Sequence, residues 1–366
     1  MTGQLGFVGV DGDRREADVA VWSADGGGLL DPSLPPFEPP EEGERGIWRY
    51  RRAMGLASLP PVWLGEGGTP LVPVNVAGFD VHAKLEFLQP TGSYKDRGAA
   101  VLAAALAAAN ARGAVEDSSG NAGAALAAYC ARVGVPLQLF LPSWAADGMK
   151  VRQARAYGAA IDAEAPTRAE ATSRAQAQAQ AGLVSGIVYA SHIFSPYFLV
   201  GQMTMAWEIA EALGGAPDSI VVPVGHGLLL LALDRGFQAL VEAGRIPRGP
   251  RLFGIQARAC APIYEAFQRN ATVVSPITGG ATSADGVRVA DAPRGGQVLA
   301  AVRRSGGAVL SVDETEIARA MSLAANLGWF IEPSSAVAVA GLLKLDRVLA
   351  PGERIVVPLT GTALKL

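Results

Sequence analysis

Beyond residue 64, short runs of β-branched residues alternate with longer stretches that are rich in alanine. The runs at 220–224 and 355–359 are typical of strands. The segments 98–110 and 165–182 have the length and the residue types of helices. This alternation predicts an α/β protein with open, mostly parallel sheets and helices on both faces.

Three of the predicted strands run directly into polar turns that contain glycine. These turns begin after residues 116, 224 and 359. In open α/β sheets, ligands bind beyond the carboxyl ends of the strands. The pattern therefore predicts that the functional residues lie in these three turns.

The segment 31–42 is rich in proline, with five prolines in twelve residues. Proline cannot continue a helix or a central strand, so this segment predicts an extended connector. The residues before it are expected to form an N-terminal appendage.

Composition excludes several classes of function. The 366 residues suggest two or three domains, at about 150 residues each. A net charge of -3 without a basic block gives no support to nucleic-acid binding. The longest uncharged apolar stretch, 98–109, is too short to span a membrane, and the N-terminus lacks an apolar leader. We therefore expect a cytoplasmic protein without a membrane partner.

Metal and disulfide sites are not expected either. The chain has only two cysteines, Cys130 and Cys260, which lie far apart. Its three histidines are scattered without the spacing of a metal site.

Lysine is scarce, since it accounts for five of the 31 basic residues. Lys95 stands out because it precedes the alanine-rich run at 98–110, which places it just inside a predicted helix N-terminus. The helix dipole disfavours a cation there, so the position favours a neutral amine, the form that condenses with a carbonyl group. The alternative is that Lys95 pairs with Asp96 on the helix surface.

The motif around Lys95 resembles that of a known family. PTGSYKDRG at 90–98 is similar to the PTGSFKDRG signature of threonine synthase and its relatives among the fold-type II pyridoxal-phosphate enzymes. GEGGTPL at 65–71 and AKLEFLQPTGS at 83–93 follow the family order. The resemblance implies that pyridoxal 5′-phosphate is the cofactor and that Lys95 holds it as a Schiff base and then moves protons at the substrate carbons.

The glycine-rich turn after the strand at 220–224 resembles the family's phosphate loop. A dinucleotide fingerprint does not fit there, because Leu230 stands in place of the third glycine, and no lysine has the Ser or Thr neighbour of a Walker A loop. At the C-terminus, PLTGTALK resembles LTGHGLK of the family, which implies that Thr360 bonds the pyridine nitrogen. The cofactor-phosphate residues implied by the resemblance are Gly225, His226, Gly227, Leu228 and Leu229.

The turn at 117–123 resembles the family's Ser/Thr-Gly-Asn loop. The resemblance implies that Asn121 contacts the pyridoxal 3′-oxygen and that Ser118, Ser119 and Gly120 hold the substrate carboxylate. The alternative is that Ser-Gly-Asn only makes a turn and caps the helix that follows.

Three positions depart from the threonine synthase pattern. Leu229 replaces an asparagine, Ala122 replaces a hydroxyl residue, and Phe198 replaces an arginine that would bind the substrate phosphate. Each lost charge-assisted hydrogen bond is worth about 1.5–3 kcal/mol. TSADGV at 282–287 also resembles the TIADG segment of serine and threonine ammonia-lyases. We therefore expect a small amino-acid substrate that carries no phosphate, with Ala122 and Phe198 on its side of the site.

The segment 22–31 has the outline of a zinc-ribbon segment found in some threonine synthases, but it contains no cysteine. We expect a metal-free remnant. The predicted parts are an appendage at 1–60, a large cofactor-binding domain from 61–97 plus 196–366, and a small mobile domain at 98–195. The resemblance also implies a homodimer.

Three functions stay open from the sequence. The first is a lyase that eliminates or replaces a β- or γ-substituent of a small amino acid, as serine and threonine ammonia-lyases do. The second is an authentic threonine synthase that converts O-phosphohomoserine and water to threonine and phosphate. The third is a non-catalytic pyridoxal-phosphate-binding protein.

Overall fold

The computed structural model describes residues 3–9, 12–25 and 27–366. They form two compact units. The first unit comprises the described residues up to 68 together with 89–204 and 365–366, and the second comprises 69–88 and 205–364. The three-part domain division and the homodimer stay predictions.

The secondary structure alternates between strands and helices, as the sequence predicts. The strands are β1 (Gly6–Gly9), β2 (Arg14–Glu16), β3 (Leu30–Ser33), β4 (Leu71–Val76), β5 (Phe79–Lys84), β6 (Gly113–Glu116), β7 (Leu137–Pro142), β8 (Ala160–Ala165), β9 (Ile187–Tyr189), β10 (Ser219–Pro223), β11 (Arg251–Ala257), β12 (Ala308–Val312) and β13 (Ile355–Pro358). The helices are α1 (Lys95–Ala108), α2 (Asn121–Val133), α3 (Met149–Ala156), α4 (Arg168–Gly182), α5 (Pro196–Leu213), α6 (Leu228–Glu242), α7 (Pro262–Gln268), α8 (Gly295–Ser305), α9 (Glu314–Asn326) and α10 (Pro333–Leu342).

The first unit contains a four-stranded parallel sheet in the order β8-β7-β6-β9. Helix α4 packs on β7 and β9, and α1 packs on α2. The alanine run of α1 is buried along its length. Its small side chains let neighbouring elements approach closely, which explains why this helix is built from alanine.

The second unit contains a six-stranded sheet in the order β12-β11-β10-β13-β5-β4. All neighbouring strands are parallel except the edge hairpin of β4 and β5. Strands β10 and β13 are buried throughout, and α10 packs against both. The predicted α/β class with mostly parallel sheets is confirmed.

The N-terminal region forms a small antiparallel sheet in the order β2-β1-β3. Phe7 is fully buried, and its ring lies edge-on to Tyr197 with centroids 5.4 Å apart. Trp22 contacts Tyr189 in the same way at 5.1 Å. Pro32 falls on β3, an edge strand, where proline is tolerated. Residues 1, 2, 10, 11 and 26 of the predicted appendage lie outside the described residues.

Helix α5 begins in the first unit and approaches the start of α1 very closely. A Cβ atom at Gly98 would lie 2.4 Å from Cδ1 of Phe198, and one at Gly201 would lie 2.1 Å from the carbonyl oxygen of Arg97. Glycine is therefore required at both positions by a close approach between backbones and side chains. Within the described residues, none of the helices is long and apolar enough to cross a bilayer.

This close approach predicts the effect of Gly201→Ala. Alanine is the better helix former, by about 1 kcal/mol, but its methyl group would displace the backbone of Arg97. We expect a net loss of about 1–3 kcal/mol in the free energy of unfolding, measured from urea denaturation. Gly249→Ala is the matched control, because the nearest atoms there are 3.6 Å from the new Cβ. A Gly201→Ala protein as stable as the wild type would contradict the packing described.

Candidate active site

The turn before α1 is closed by a buried carboxyl group. Asp96 accepts the backbone N–H of Thr91 on Oδ2 at 2.8 Å and the Thr91 hydroxyl on Oδ1 at 2.7 Å. Lys365 donates from Nζ to the carbonyl oxygen of Thr91 at 2.5 Å. These bonds fix the loop 91–94, so that Lys95 is the first residue of α1, as the sequence predicts.

Burial governs the charge of Asp96, which is fully inaccessible to solvent. It raises the pKa of this carboxyl to about 7, against the hydrogen bonds from Thr91 and the field of Lys365, which lower the pKa. The dipole of α1 also favours an acidic group in the first turn of the helix. The carboxyl thus contributes geometry rather than a free surface charge that could pair with Lys95.

The amine of Lys95 lies among aromatic rings. Its Nζ is 4.7 Å from the ring centroid of Tyr94 and 5.8 Å from that of Phe198. Phe198 is fully buried on α5, where Gly98 leaves room for its ring. The structure therefore brings Lys95 and Phe198 together, and Phe198 is the residue at which the resemblance leads us to expect an arginine in the family.

The turn that resembles the family's Ser/Thr-Gly-Asn loop joins β6 to α2 in the same unit. Asn121 is the first residue inside α2, and the helix cap is Gly120, so Asn121 does not serve as the cap. Ser118 Oγ accepts the N–H of Gly120 at 3.2 Å. A Cβ at Gly123 would lie 2.1 Å from the carbonyl oxygen of Ser118, so only glycine permits this tight turn.

The other residues of this loop differ in burial. Ala122 is buried, and the three residues that precede Asn121 are half-buried, namely Ser118, Ser119 and Gly120. A half-buried row of donors before a helix N-terminus suits the binding of a carboxylate.

The glycine-rich loop of the second unit joins β10 to α6. Gly227 precedes α6 with a φ of 89°, in the left-handed region. A Cβ at Gly225 would lie 3.0 Å from the carbonyl oxygen of Gly286, and one at Gly227 would lie 2.2 Å from Cγ2 of Val298. The loop is therefore a tight cradle, with His226 half-buried and the side chains of Leu228 and Leu229 in the core.

Thr360 follows β13 and is 3% exposed. Because β10 and β13 are parallel neighbours, the glycine-rich loop and Thr360 lie at the same edge of this sheet. The Thr360 N–H donates to Ser335 Oγ at 2.8 Å, and the N–H of Gly286 donates to Ser334 Oγ at 2.9 Å. The start of α10 thus supports the turn at Thr360 and the segment at Gly286, whose carbonyl oxygen faces Gly225.

A buried acid–base pair in the first unit was not predicted. Glu116 ends β6, and its Oε1 lies 2.7 Å from Nδ1 of His192, which follows β9. The charged end of an apolar strand is the one sequence signal that points to Glu116.

The first unit contains a second buried carboxyl group that was not predicted, Glu66. It accepts hydrogen bonds from Tyr129, Trp48 and the backbone of Leu64 at 2.9–3.1 Å. Burial raises the pKa of Glu66.

The donor set fits pyridoxal 5′-phosphate. A phosphate requires converging backbone N–H groups, and the first N–H groups of α6 lack acceptors within their own helix. A side chain at Gly227 would displace Val298, and one at Gly225 would be in tight contact with the backbone at Gly286. The resemblance assigns the amine of Lys95 to the cofactor aldehyde and the hydroxyl group of Thr360 to the ring nitrogen, and both assignments stay predictions. Each unit thus carries one part of the predicted set.

Comparison with known proteins identifies the family. The model of the pyridoxal-phosphate dependent enzyme family matches residues 62–361. Threonine synthase from Methanocaldococcus jannaschii is 33% identical over 376 residues, which cover 97% of this chain and 91% of that protein. Threonine synthase from Synechocystis is 35% identical, with 91% and 87% covered.

Solved structures agree with this assignment. The threonine deaminase from T.th. has a TM-score of 0.68 and 26% identity, and the match covers 81% of this chain and 93% of that one. The resemblance, the fold class and the cofactor predicted from the motifs are confirmed. The chain therefore belongs to the pyridoxal-phosphate dependent enzyme family.

Proposed function

We propose that this enzyme is an amino-acid lyase that eliminates or replaces a β- or γ-substituent of a small, non-phosphorylated amino acid. The observation that carries the proposal is the setting of Lys95. The buried ring of Phe198 lies 5.8 Å from its amine, at the position where threonine synthases are expected to have an arginine.

The energetic argument rests on charge. A phosphorylated substrate brings a dianion, which requires cationic or several polar donors near the reacting carbons. Phe198 offers none, and Ala122 and Leu229 likewise replace polar residues with buried apolar ones. The cost of burying an unpaired phosphate is large, whereas a hydroxyl substituent needs only one or two hydrogen bonds.

The residues take the following roles in the proposal. Bound pyridoxal phosphate supplies an electron sink for the bonds at the substrate α-carbon. Lys95 holds the cofactor and then takes the α-proton, and Asn121 orients the cofactor ring through its 3′-oxygen. The donors of the loop 118–120 bind the substrate carboxylate, which keeps the α-carbon near Lys95.

The cofactor contacts of the second unit complete the proposal. The backbone N–H groups of the loop 225–229 bind the cofactor phosphate, and the Thr360 hydroxyl group donates one hydrogen bond to the ring nitrogen. A hydroxyl group leaves that nitrogen largely unprotonated, which suits elimination and replacement better than transamination. A homodimer, implied by the resemblance, is part of the same proposal.

Threonine synthase is the second candidate, because both curated relatives described above bear that name. It differs from the first in its leaving group, since it would release phosphate from O-phosphohomoserine. The solved relative at 26% identity is a threonine deaminase, which agrees with the first candidate.

Lys95→Ala tests the cofactor assignment. Wild-type protein with pyridoxal phosphate is expected to show the visible absorption band of a lysine-bound cofactor, and Lys95→Ala is expected to lose that band together with all turnover. Lys150→Ala, on α3, is the matched control and should keep both. An unchanged band in Lys95→Ala would assign the cofactor to another lysine.

A substrate panel tests the reaction. Serine, threonine and O-phosphohomoserine are incubated separately with the holoenzyme, and ammonia, 2-oxo acid and phosphate are measured. Since one charge-assisted hydrogen bond is worth about 1.5–3 kcal/mol, the kcat/KM for O-phosphohomoserine is expected to fall at least about tenfold below that for the better hydroxy-amino acid. Faster release of phosphate than of ammonia would favour threonine synthase instead.

A further inference from the structure

The buried pair of Glu116 and His192 lies next to the residues assigned to the chemistry, and the roles given above do not use it. Glu116 is fully buried at the end of β6, and the side chain of His192 is 11% exposed. Strands β6 and β9 are parallel neighbours, so the turns that carry the two residues lie at the same edge of the sheet. The distance of 2.7 Å between Oε1 and Nδ1 is that of a strong hydrogen bond.

The pair shares one aromatic neighbour with Lys95. The rings of His192 and Phe198 have centroids 5.9 Å apart and meet edge-on. Lys95 Nζ lies 5.8 Å from the same Phe198 ring. All four residues belong to the first unit. The imidazole of His192, which is hydrogen-bonded to a buried carboxyl group, and the amine of Lys95 are thus both neighbours of the Phe198 ring. Lys95 is the residue that is proposed to take the α-proton.

Both members of the pair are neutral near pH 7. Burial raises the pKa of Glu116 to about 8, despite hydrogen bonds from the backbone of Asp117 and His192. Burial, reinforced by the field of Lys95, lowers the pKa of His192 to about 3. The Glu116 carboxyl group therefore donates to Nδ1, and the single proton of the imidazole resides on Nε2.

The surroundings of the pair contain charged and titratable groups from several elements. Lys95 on α1 favours this neutral imidazole, and so does Arg168 on α4. Asp117 has the opposite effect on His192, and burial raises its own pKa. The neighbours that interact with Glu116 or His192 are Lys95, Asp117, Cys130, Arg168 and Tyr189. Burial raises the pKa values of Cys130 and Tyr189, which keeps both groups neutral.

We propose that His192, held by Glu116, binds the β-hydroxyl group of a hydroxy-amino acid substrate and donates the proton with which that group leaves as water. The inference rests on the proposed elimination and narrows its substrate class to amino acids whose β-substituent is a hydroxyl group. A hydroxyl group leaves readily only when it receives a proton as it departs. The ring of Phe198, beside Lys95, cannot donate that proton.

The proton balance closes. The Cβ–O bond breaks, its electron pair stays on oxygen, and the oxygen takes the proton from Nε2 of His192. The Glu116 carboxyl group passes its proton to Nδ1, so the imidazole stays neutral while Glu116 becomes a carboxylate. Glu116 then takes one proton from solvent, and Lys95 releases the α-proton, so the two transfers cancel.

The test compares two substrates that give the same 2-oxo acid and ammonia. Serine loses a hydroxyl group, which needs a proton, and β-chloroalanine loses chloride, which does not. For His192→Asn and Glu116→Gln we expect kcat for serine to fall about 10²-fold or more, with kcat for β-chloroalanine within about threefold of wild type. His82→Asn, on β5 of the second unit, is the matched control and should leave both substrates unaffected.

The pH profile of the wild type tests the same proposal without a variant. Above pH 8 Glu116 becomes a carboxylate, the imidazole proton moves to Nδ1 to pair with it, and Nε2 can no longer donate. We therefore expect kcat for serine to fall above pH about 8, and kcat for β-chloroalanine to lack this decline. In Glu116→Gln the decline near pH 8 should be absent.

The outcomes separate this inference from the proposed function. A loss confined to serine supports the role of His192. Equal losses for both substrates, with the cofactor absorption band intact, would show a structural role and overturn the inference while leaving the elimination in place. Unchanged serine turnover in both variants would overturn it as well. A wild type inactive toward both substrates would overturn the proposed elimination and, with it, this inference.

Discussion

The two hydrogen bonds from Thr91 to the Asp96 carboxyl group are the constraint on which the reactive centre of the first unit depends. They close the turn in front of α1 and so decide which residue begins the helix. With Lys95 at that first position, its stem rises beside Tyr94 and toward the ring of Phe198. The glycines at 98 and 201 then let α5 come close enough to supply that ring. Without the closed turn, Lys95 would not lie beside the rings of Tyr94 and Phe198.

The local parts of this arrangement follow from the sequence. The alanine run at 98–110 predicts a helix with Lys95 just inside its N-terminus, and α1 begins at Lys95. The sequence predicts turns that begin after residues 116, 224 and 359, and the corresponding strands end at 116, 223 and 358. The role of Lys95 comes from the family motif and stays a prediction. The inferences about secondary structure succeed because propensity, capping and turn chemistry act within about ten residues along the chain.

The parts that the sequence did not predict depend on contacts between distant residues. Glu116 and His192 are 76 positions apart, and they meet only because β6 and β9 are neighbours in the sheet. Strand order is not encoded in the hydrophobic pattern of either strand. The small N-terminal sheet escaped prediction for a different reason, since strands of three and four residues are too short for alternation to be distinguished from loop.

The hydrogen bond from Lys365 to Thr91 has a consequence for folding during synthesis of the chain. It joins residues 274 positions apart, and the last two residues belong to the first unit rather than to the second. Domains of most proteins fold as they leave the ribosome, N-terminal first. Here the first unit holds the N-terminal strands, but the loop 91–94 in front of Lys95 can form all its bonds only after the chain has been synthesised through residue 365. A nascent chain that has not yet reached residue 365, however well its early strands have formed, therefore lacks the bond that holds the loop 91–94.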